Sequence, residues 1–425
     1  MGVDLRTYAD ALDFLFARTT GIWKLGLERV EQFLGALDDP HRRLRTIHVA
    51  GTNGKGSTCA TLDMLLRARG LRVGRYTSPH LVDFRERFLV NGAPVEAERI
   101  VAFVDKWTPE VERLGATFFE ATTAMAFQFF AEDAVDVAVI ETGLGGRLDA
   151  TNVVTPLVAG VTNIGIDHVE YLGATREEIA FEKAGIFKRD VPAVIGEPEP
   201  AIRALLRHYA EERGARPIHA VFDGAGPQRV EVSAQGTAFT LDGVAHRTPL
   251  IGAHQASNAA VALAMIAELP AELRPDETQI TRGFEAVRLP GRFHRDGPYI
   301  FDVAHNPAGS AELARTLRAV HPPKPIVAVL SVLGDKDWRG MMRHLAPVVD
   351  HFVITNAPTS PANRTWNTPD TLAFAREERM SAELVRDFDR ALARGLEKGA
   401  TVLVTGSFHT VGDAMSRLEV SPTAG

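Results

Sequence analysis

A short apolar strand, residues 46–50, runs directly into Gly51-Thr52-Asn53-Gly54-Lys55-Gly56-Ser57-Thr58, and helical spacing of apolar residues follows over 59–69. Few arrangements satisfy a strand, a glycine-rich turn and a helix in that order. Glycines let backbone N–H groups approach phosphate oxygens, and the N-terminus of the following helix adds a favourable dipole. Gly54, Gly56 and Ser57 are therefore candidate phosphate contacts, and Lys55 reaches the terminal phosphates. Ser57 or Thr58 supplies a hydroxyl to a magnesium ion. The spacing before Gly54 is shorter than in GxxxxGK[ST], and Gly56 separates the lysine from the hydroxyl. A plain glycine turn with a surface lysine is the competing reading.

The rest of the chain extends this unit. Residues 72–76 read as the next strand, which makes a βαβ unit and a parallel sheet. Helical patterns occupy 5–18, 27–37, 96–114, 121–132 and 179–187, with apolar strand runs at 135–141, 157–161 and 193–195. Residues 228–250 alternate, with turn signals at Gln235-Gly236 and Asp242-Gly243, and read as a small antiparallel element attached to the first domain. Helix returns over 254–267. Residues 289–298, LPGRFHRDGP, carry two prolines and two glycines and mark a boundary. Beyond it, strands at 299–303, 326–330, 351–354 and 401–404 alternate with helices at 309–320, 338–345 and 382–396. The expected fold class is α/β: an N-terminal P-loop ATPase-like domain with a parallel sheet and a small antiparallel β element (1–290), a linker (291–298), and a C-terminal Rossmann-like α/β domain (299–425).

With 425 residues, two or three domains are expected at ~100–200 residues each. A net charge of -7 offers no general attraction to nucleic acid or an anionic membrane. The single cysteine, Cys59, excludes an intramolecular disulfide, and no run approaches the ~18 apolar residues that span a bilayer. The N-terminus reads as an amphipathic helix rather than a signal peptide. We expect a cytoplasmic monomer acting on small molecules, with no nucleic-acid or membrane partner.

Three polar segments follow predicted parallel strands, at the sheet edge where open α/β sheets bind ligands. They are Tyr76-Thr77-Ser78-Pro79-His80, Glu141-Thr142-Gly143-Leu144-Gly145-Gly146-Arg147-Leu148-Asp149-Ala150-Thr151-Asn152, and Thr162-Asn163-Ile164-Gly165-Ile166-Asp167-His168. A hydroxyl (Ser78), a carboxylate (Glu141) and an imidazole (His168) can converge there on a metal, although magnesium prefers oxygen. Alone, a serine before proline is a turn and a histidine a satisfied core or surface residue. Arg147 and Asp149 either position substrate or pair with each other. Asp302-Val303-Ala304-His305-Asn306, Asp335-Lys336-Asp337 and Gly406-Ser407 end strands of the second domain. Cys59, behind the loop, reads as packing.

GTNGKGS resembles the phosphate loop of the Mur ligase superfamily, and its extra glycine resembles the folylpolyglutamate synthase and dihydrofolate synthase branch. SPHLVDFRERF, ETGLGGRLDATN, GAHQASNAA, PGRF, DVAHNP and Leu25-Gly26-Leu27-Glu28 extend the resemblance from about residue 21 to residue 413. The resemblance implies ATP-dependent joining of glutamate to a folate or dihydropteroate carboxylate through an acyl phosphate. It implies magnesium at Ser78, Glu141 and His168, and nucleotide contacts from Asn258, Arg292 and Asp302. It also implies a pterin site from Phe119, Glu120, Thr122 and Thr123 with Leu148, Asp149 and Ala150. Without it, 119–123 is a helix start capped by Thr122, and Asn258 a helix cap. The resemblance further implies that His305 organises the incoming amino acid, whose carboxylates Lys336 and Ser407 are expected to meet. In the superfamily the lysine matching Lys183 is often carbamylated and helps hold a second magnesium, which needs a neutral amine made by burial or nearby positive charge. The plain reading is a helix lysine paired with Glu178 or Glu182. A linker between two site-bearing domains suits closure around a water-sensitive intermediate.

Two other functions compete. A cell-wall Mur ligase shares fold and phosphate chemistry, but the phosphate loop begins only at Gly51, with no nucleotide-sugar domain read before it. A regulatory ATP-binding protein needs the loop but neither GRFH nor DVAHN.

Overall fold

A computed structural model describes residues 7–19 and 26–420. Leu25 and the first six residues, on which part of the expected opening segment and first helix fall, lie outside the described residues. The chain divides into two compact units. The first comprises residues up to Ser78, Arg85–Gly226 and Asn258–Phe284; the second comprises Pro79–Phe84, Pro227–Ser257 and the chain from Glu285 onward.

The first unit is built on an eight-stranded sheet. Across it lie Ala93–Pro94, Phe88–Val90, Val73–Tyr76, Val137–Glu141, Thr46–Ala50, Val158–Val161, Ala193–Ile195 and Ile218–Ala220. Phe88–Val90 is antiparallel to both of its neighbours and every other neighbouring pair is parallel. Thr46–Ala50 and Val137–Glu141 are buried at every residue, as expected of central strands covered by helices on both faces. Because Val73–Tyr76, Val137–Glu141, Thr46–Ala50 and Val158–Val161 are parallel neighbours, their C-terminal ends share one edge. That edge carries Ser78, Thr142, Gly51 and Thr162.

The second unit has a six-stranded sheet in the order His294–Asp296, Tyr299–Asp302, Thr401–Thr405, Ile326–Leu330, His351–Ile354 and Ala382–Leu384. Only the first pair is antiparallel. Asp302, Gly406-Ser407 and Ser331 therefore come to one edge. Residues 382–384 form its last parallel strand, which corrects the helix expected over 382–396; the helix begins at Phe388, capped by Asp387. The three-stranded meander Gln228–Ser233, Gly236–Leu241 and Val244–Thr248 forms as expected but groups with this second unit rather than with the first domain. The physical reason is packing: Val232 lies against the cluster that includes Leu313, Leu317 and Ile251.

Candidate active site

The helix after the phosphate loop starts earlier than its apolar pattern suggests, at Lys55, and runs to Ala68 with Gly54 as its N-cap. Gly54 has φ +86°, and a Cβ there would collide with the Asn258 side chain. Only glycine allows that backbone conformation with an amide packed against it. Asn258 lies inside the helix Ala253–Ala267, so it is not that helix's cap. Its carbonyl accepts from Thr58 Oγ1 at 3.4 Å.

The loop is fixed by the neighbouring strand end. Thr162 Oγ1 donates to the Asn53 carbonyl at 2.7 Å, and Asn163 both accepts from Asn53 N–H (3.1 Å) and donates to its carbonyl (2.9 Å). Gly165 N–H donates to Thr52 Oγ1 at 2.9 Å. That segment is held in turn by Glu197, a buried carboxylate the sequence reading passes over. Glu197 accepts from Ile164 N–H at 2.7 Å and from Arg176 at 3.1 Å. Burial pushes its pKa up against the backbone bond and the arginine charges.

Ser78 and Glu141 are brought together, with Ser78 N–H donating to Glu141 Oε2 at 3.2 Å. Glu141 is 5% exposed. A buried carboxylate beside a hydroxyl residue at a strand end fits a hard divalent cation, which prefers oxygen donors. His168 has φ +51° and its ring lies 4.0 Å from Asp167. No group of three or more His, Cys, Asp or Glu placed for a metal occurs among the described residues.

Lys183 is buried in the helix Arg176–Ala184. Burial, then the Lys55 charge, lowers its pKa to about 7, with Asp167 and Asp149 opposing. A substantial neutral fraction therefore exists near neutral pH. It is not paired as the plain reading supposed. Glu182 binds Arg147 (2.8 Å), and Glu178 closes a capping box with Thr175. The Arg147–Asp149 pair considered from sequence is likewise replaced. Asp149 is buried, accepting N–H bonds from Leu144 (2.8 Å) and Thr151 (3.1 Å) and the Thr151 hydroxyl. Leu148 and Ala150 flank it in the same loop.

The helix carrying the 119–123 segment starts at Phe118, capped by Thr117 in a box with Glu120, not by Thr122. Glu120 also binds Arg29 at 3.0 Å. Thr122 and Thr123 hydroxyls lie 3.0 and 3.3 Å from the buried Tyr76 hydroxyl, and Phe119 packs on the Tyr76 ring. Cys59 is fully buried and its thiol is pushed well up by burial, which removes it as a nucleophile.

In the second unit, Asp302 bridges its own strand to the linker, accepting from Phe293 N–H and Ala304 N–H, both at 2.9 Å. Burial raises its pKa against the Arg292 charge. Arg292 lies 5.6 Å from the Phe408 ring centre. His305 Nδ1 meets the Val303 carbonyl at 2.9 Å, so Nδ1 carries the proton when the ring is neutral. Ser407 caps the helix Phe408–Arg417, accepting from Thr410 N–H at 3.1 Å. Asp335 pairs with Arg364 and Asp337 caps Trp338–Leu345; Lys336 lies half-buried between them.

Residues 49–266 match the Mur ligase middle domain, and residues 291–408 match the Mur ligase glutamate ligase domain. A dihydrofolate synthase/folylpolyglutamate synthase of Bacillus subtilis is 34% identical over 97% of this chain and 99% of its own. The chain belongs to this family of Mur ligases. A solved Escherichia coli structure, FolC in complex with DHPP and ADP, is 33% identical, covers 99% of each chain and has a TM-score of 0.84. A bifunctional folylpolyglutamate synthase/dihydrofolate synthase solved with Mn, AMPPNP and L-glutamate bound is 34% identical, with a TM-score of 0.81, covering 98% of this chain and 100% of that one. Membership makes the chain an ATP-dependent ligase that forms C–N bonds. No helix among the described residues is long and apolar enough to cross a membrane.

Proposed function

We propose that this ligase joins L-glutamate to the carboxylate of dihydropteroate and of reduced folates, acting as a cytoplasmic monomer with Mg²⁺ as its working metal. Relatives matching nearly the whole chain carry both synthase names, and solved ones hold DHPP, nucleotide, Mn and glutamate. The observation in this molecule that carries the reading is one sheet edge that bears both the phosphate loop and the Ser78–Glu141 pair, with Lys183, buried in the helix Arg176–Ala184, near enough to Lys55 to feel its charge.

A carboxylate and an amine do not condense at neutral pH. The pterin carboxylate oxygen attacks the γ-phosphorus of ATP, ADP leaves, and an acyl phosphate forms. The glutamate amine then attacks the acyl carbon, phosphate departs with its bonding electrons, and the amine proton goes to solvent. Lys55 and the loop N–H groups hold the phosphates, with Asn258, Arg292 and Asp302 as further nucleotide contacts; Arg292 offsets charge during phosphoryl transfer. Ser78, Glu141 and His168 would hold the metal, which supplies charge neutralisation of the phosphates. The pterin sits on Phe119–Thr123 and the 148–150 loop. His305, Lys336 and Ser407 organise glutamate. Lys183, with a pKa near 7, adds CO₂ through its neutral amine and loses a proton, which gives a carbamate for a second metal.

The test is phosphate release with Mg-ATP and glutamate, with dihydropteroate or tetrahydrofolate added separately and product masses read in parallel. A glutamate-sized gain on both pterins is expected; no gain on either, from folded ATP-binding protein, overturns the reading.

A further inference from the structure

A fully buried histidine, His48, sits in the central strand Thr46–Ala50 and takes no part in the mechanism above. Its Nε2 lies 2.8 Å from Thr151 Oγ1. Thr151 Oγ1 in turn makes a short hydrogen bond to Asp149 Oδ1. Asp149 further receives backbone N–H groups from Gly143, Leu144 and Thr151. Burial pushes the Asp149 pKa up and these donors oppose it; with backbone N–H groups aimed at both of its oxygens, Asp149 is the acceptor of the network. Thr151 must then spend its own proton on Asp149. Its oxygen is left to accept from His48, and the ring is fixed as the Nε2–H tautomer. Nδ1 is buried without a hydrogen-bond partner.

That arrangement costs stability. An unpaired ring nitrogen in a fully buried strand is worse than an apolar side chain of similar size. Burial, with the Lys188 charge, lowers the ring's pKa to about 3, so it stays neutral at any working pH. The hydrogen bond this neutral donor does make leads, through Thr151, to the loop carrying Leu148, Asp149 and Ala150.

We propose that His48 is a positioning residue for pterin recognition: through Thr151 it fixes the direction of the Asp149 carboxylate and the set of residues 143–152. This rests on the reading of that loop as part of the pterin site.

The experiment compares KM for dihydropteroate, ATP and glutamate in the wild type and four variants, His48→Leu, His48→Gln, Thr151→Val and Thr151→Ser. Glutamine places an amide N–H near the Nε2 position, and serine keeps the hydroxyl. Losing one such bond to a charged chain predicts a rise of about ten-fold in pterin KM for His48→Leu and Thr151→Val, with ATP and glutamate KM within about two-fold. Glutamine and serine should restore the pterin KM. An equal rise in all three KM values, or no rescue by His48→Gln, overturns the proposal. A substrate-free arm reads the tautomer by ¹⁵N NMR: Nε2–H is expected, and an Nδ1–H or doubly protonated ring at neutral pH overturns it. Asp149→Asn separates the layers. If it leaves pterin KM unchanged, the loop assignment fails. If it raises pterin KM while the His48 variants do not, only the relay fails.

Discussion

The two units hold their candidate site residues by different means. In the first, the bonds that fix the site span long stretches of chain: Thr162 to Asn53, His48 to Thr151, Ile164 to Glu197. In the second they are local. Asp302 holds Phe293 and Ala304, His305 holds Val303, and Ser407 and Asn306 cap the helices they precede. A long-range network makes a site depend on the packing of the whole sheet. A strand-end cap is assembled by its own helix. Substitutions in the first unit should therefore disturb chemistry beyond their own position, and those in the second should act mostly on the helix they begin.

The largest expected effect is at Lys183, buried where the Lys55 charge acts on it. Lys183→Met keeps volume and removes the amine; kcat should fall by about 10²–10³-fold, the scale of losing one preorganised electrostatic group. Stability should move the other way. The folded-state pKa of about 7 lies below the ordinary 10.5, so the wild type in CO₂-free buffer loses stability as pH falls from 10.5 toward 7 and no further below. The variant lacks that slope, which denaturant titrations at several pH values would show. A wild-type kcat in Lys183→Met would break the claim that this unit's buried groups serve chemistry.

Glu197→Gln comes next. It keeps the shape but weakens the grip on Ile164 and Arg176, at about 2 kcal/mol for bonds to a charged group. Because residues 162–165 hold Thr52 and Asn53, ATP KM should rise with it, by about ten-fold. A stability loss with ATP KM unchanged would show that the grip does not reach the phosphate loop.

The same contrast explains what the sequence revealed. The strands 46–50, 193–195, 326–330 and 351–354 and the helix 338–345 form at their expected bounds, because continuous apolar runs and helical spacing are local signals. Phe88–Val90, Ala93–Pro94 and Ile218–Ala220 are too short to show a period, and Ala382–Leu384 is a strand only because His351–Ile354 lies beside it. The phosphate loop was legible for the same local reason. Glu197 and His48 were not: a glutamate between glycine and proline and a histidine in an apolar strand acquire their roles from partners 33 and 103 residues away. Thr117 could have been found, since Thr117 and Glu120 have capping-box spacing.

The smallest effect sharpens the comparison most, because Ser407 has two readings that differ in a single pair of measurements. As an N-cap it is worth about 1 kcal/mol, so Ser407→Ala should lower stability by that amount and leave glutamate KM nearly unchanged. As a glutamate contact it should raise glutamate KM instead. Ser407→Asp divides the two cleanly. Aspartate caps as well as serine, so stability should hold, but it sets a negative charge where an amino-acid carboxylate is proposed to bind. Unchanged stability with a raised glutamate KM would make Ser407 a substrate contact that also caps. Unchanged stability with an unchanged KM would leave it a cap alone, and would move the search for the glutamate carboxylate partners to Lys336 and His305.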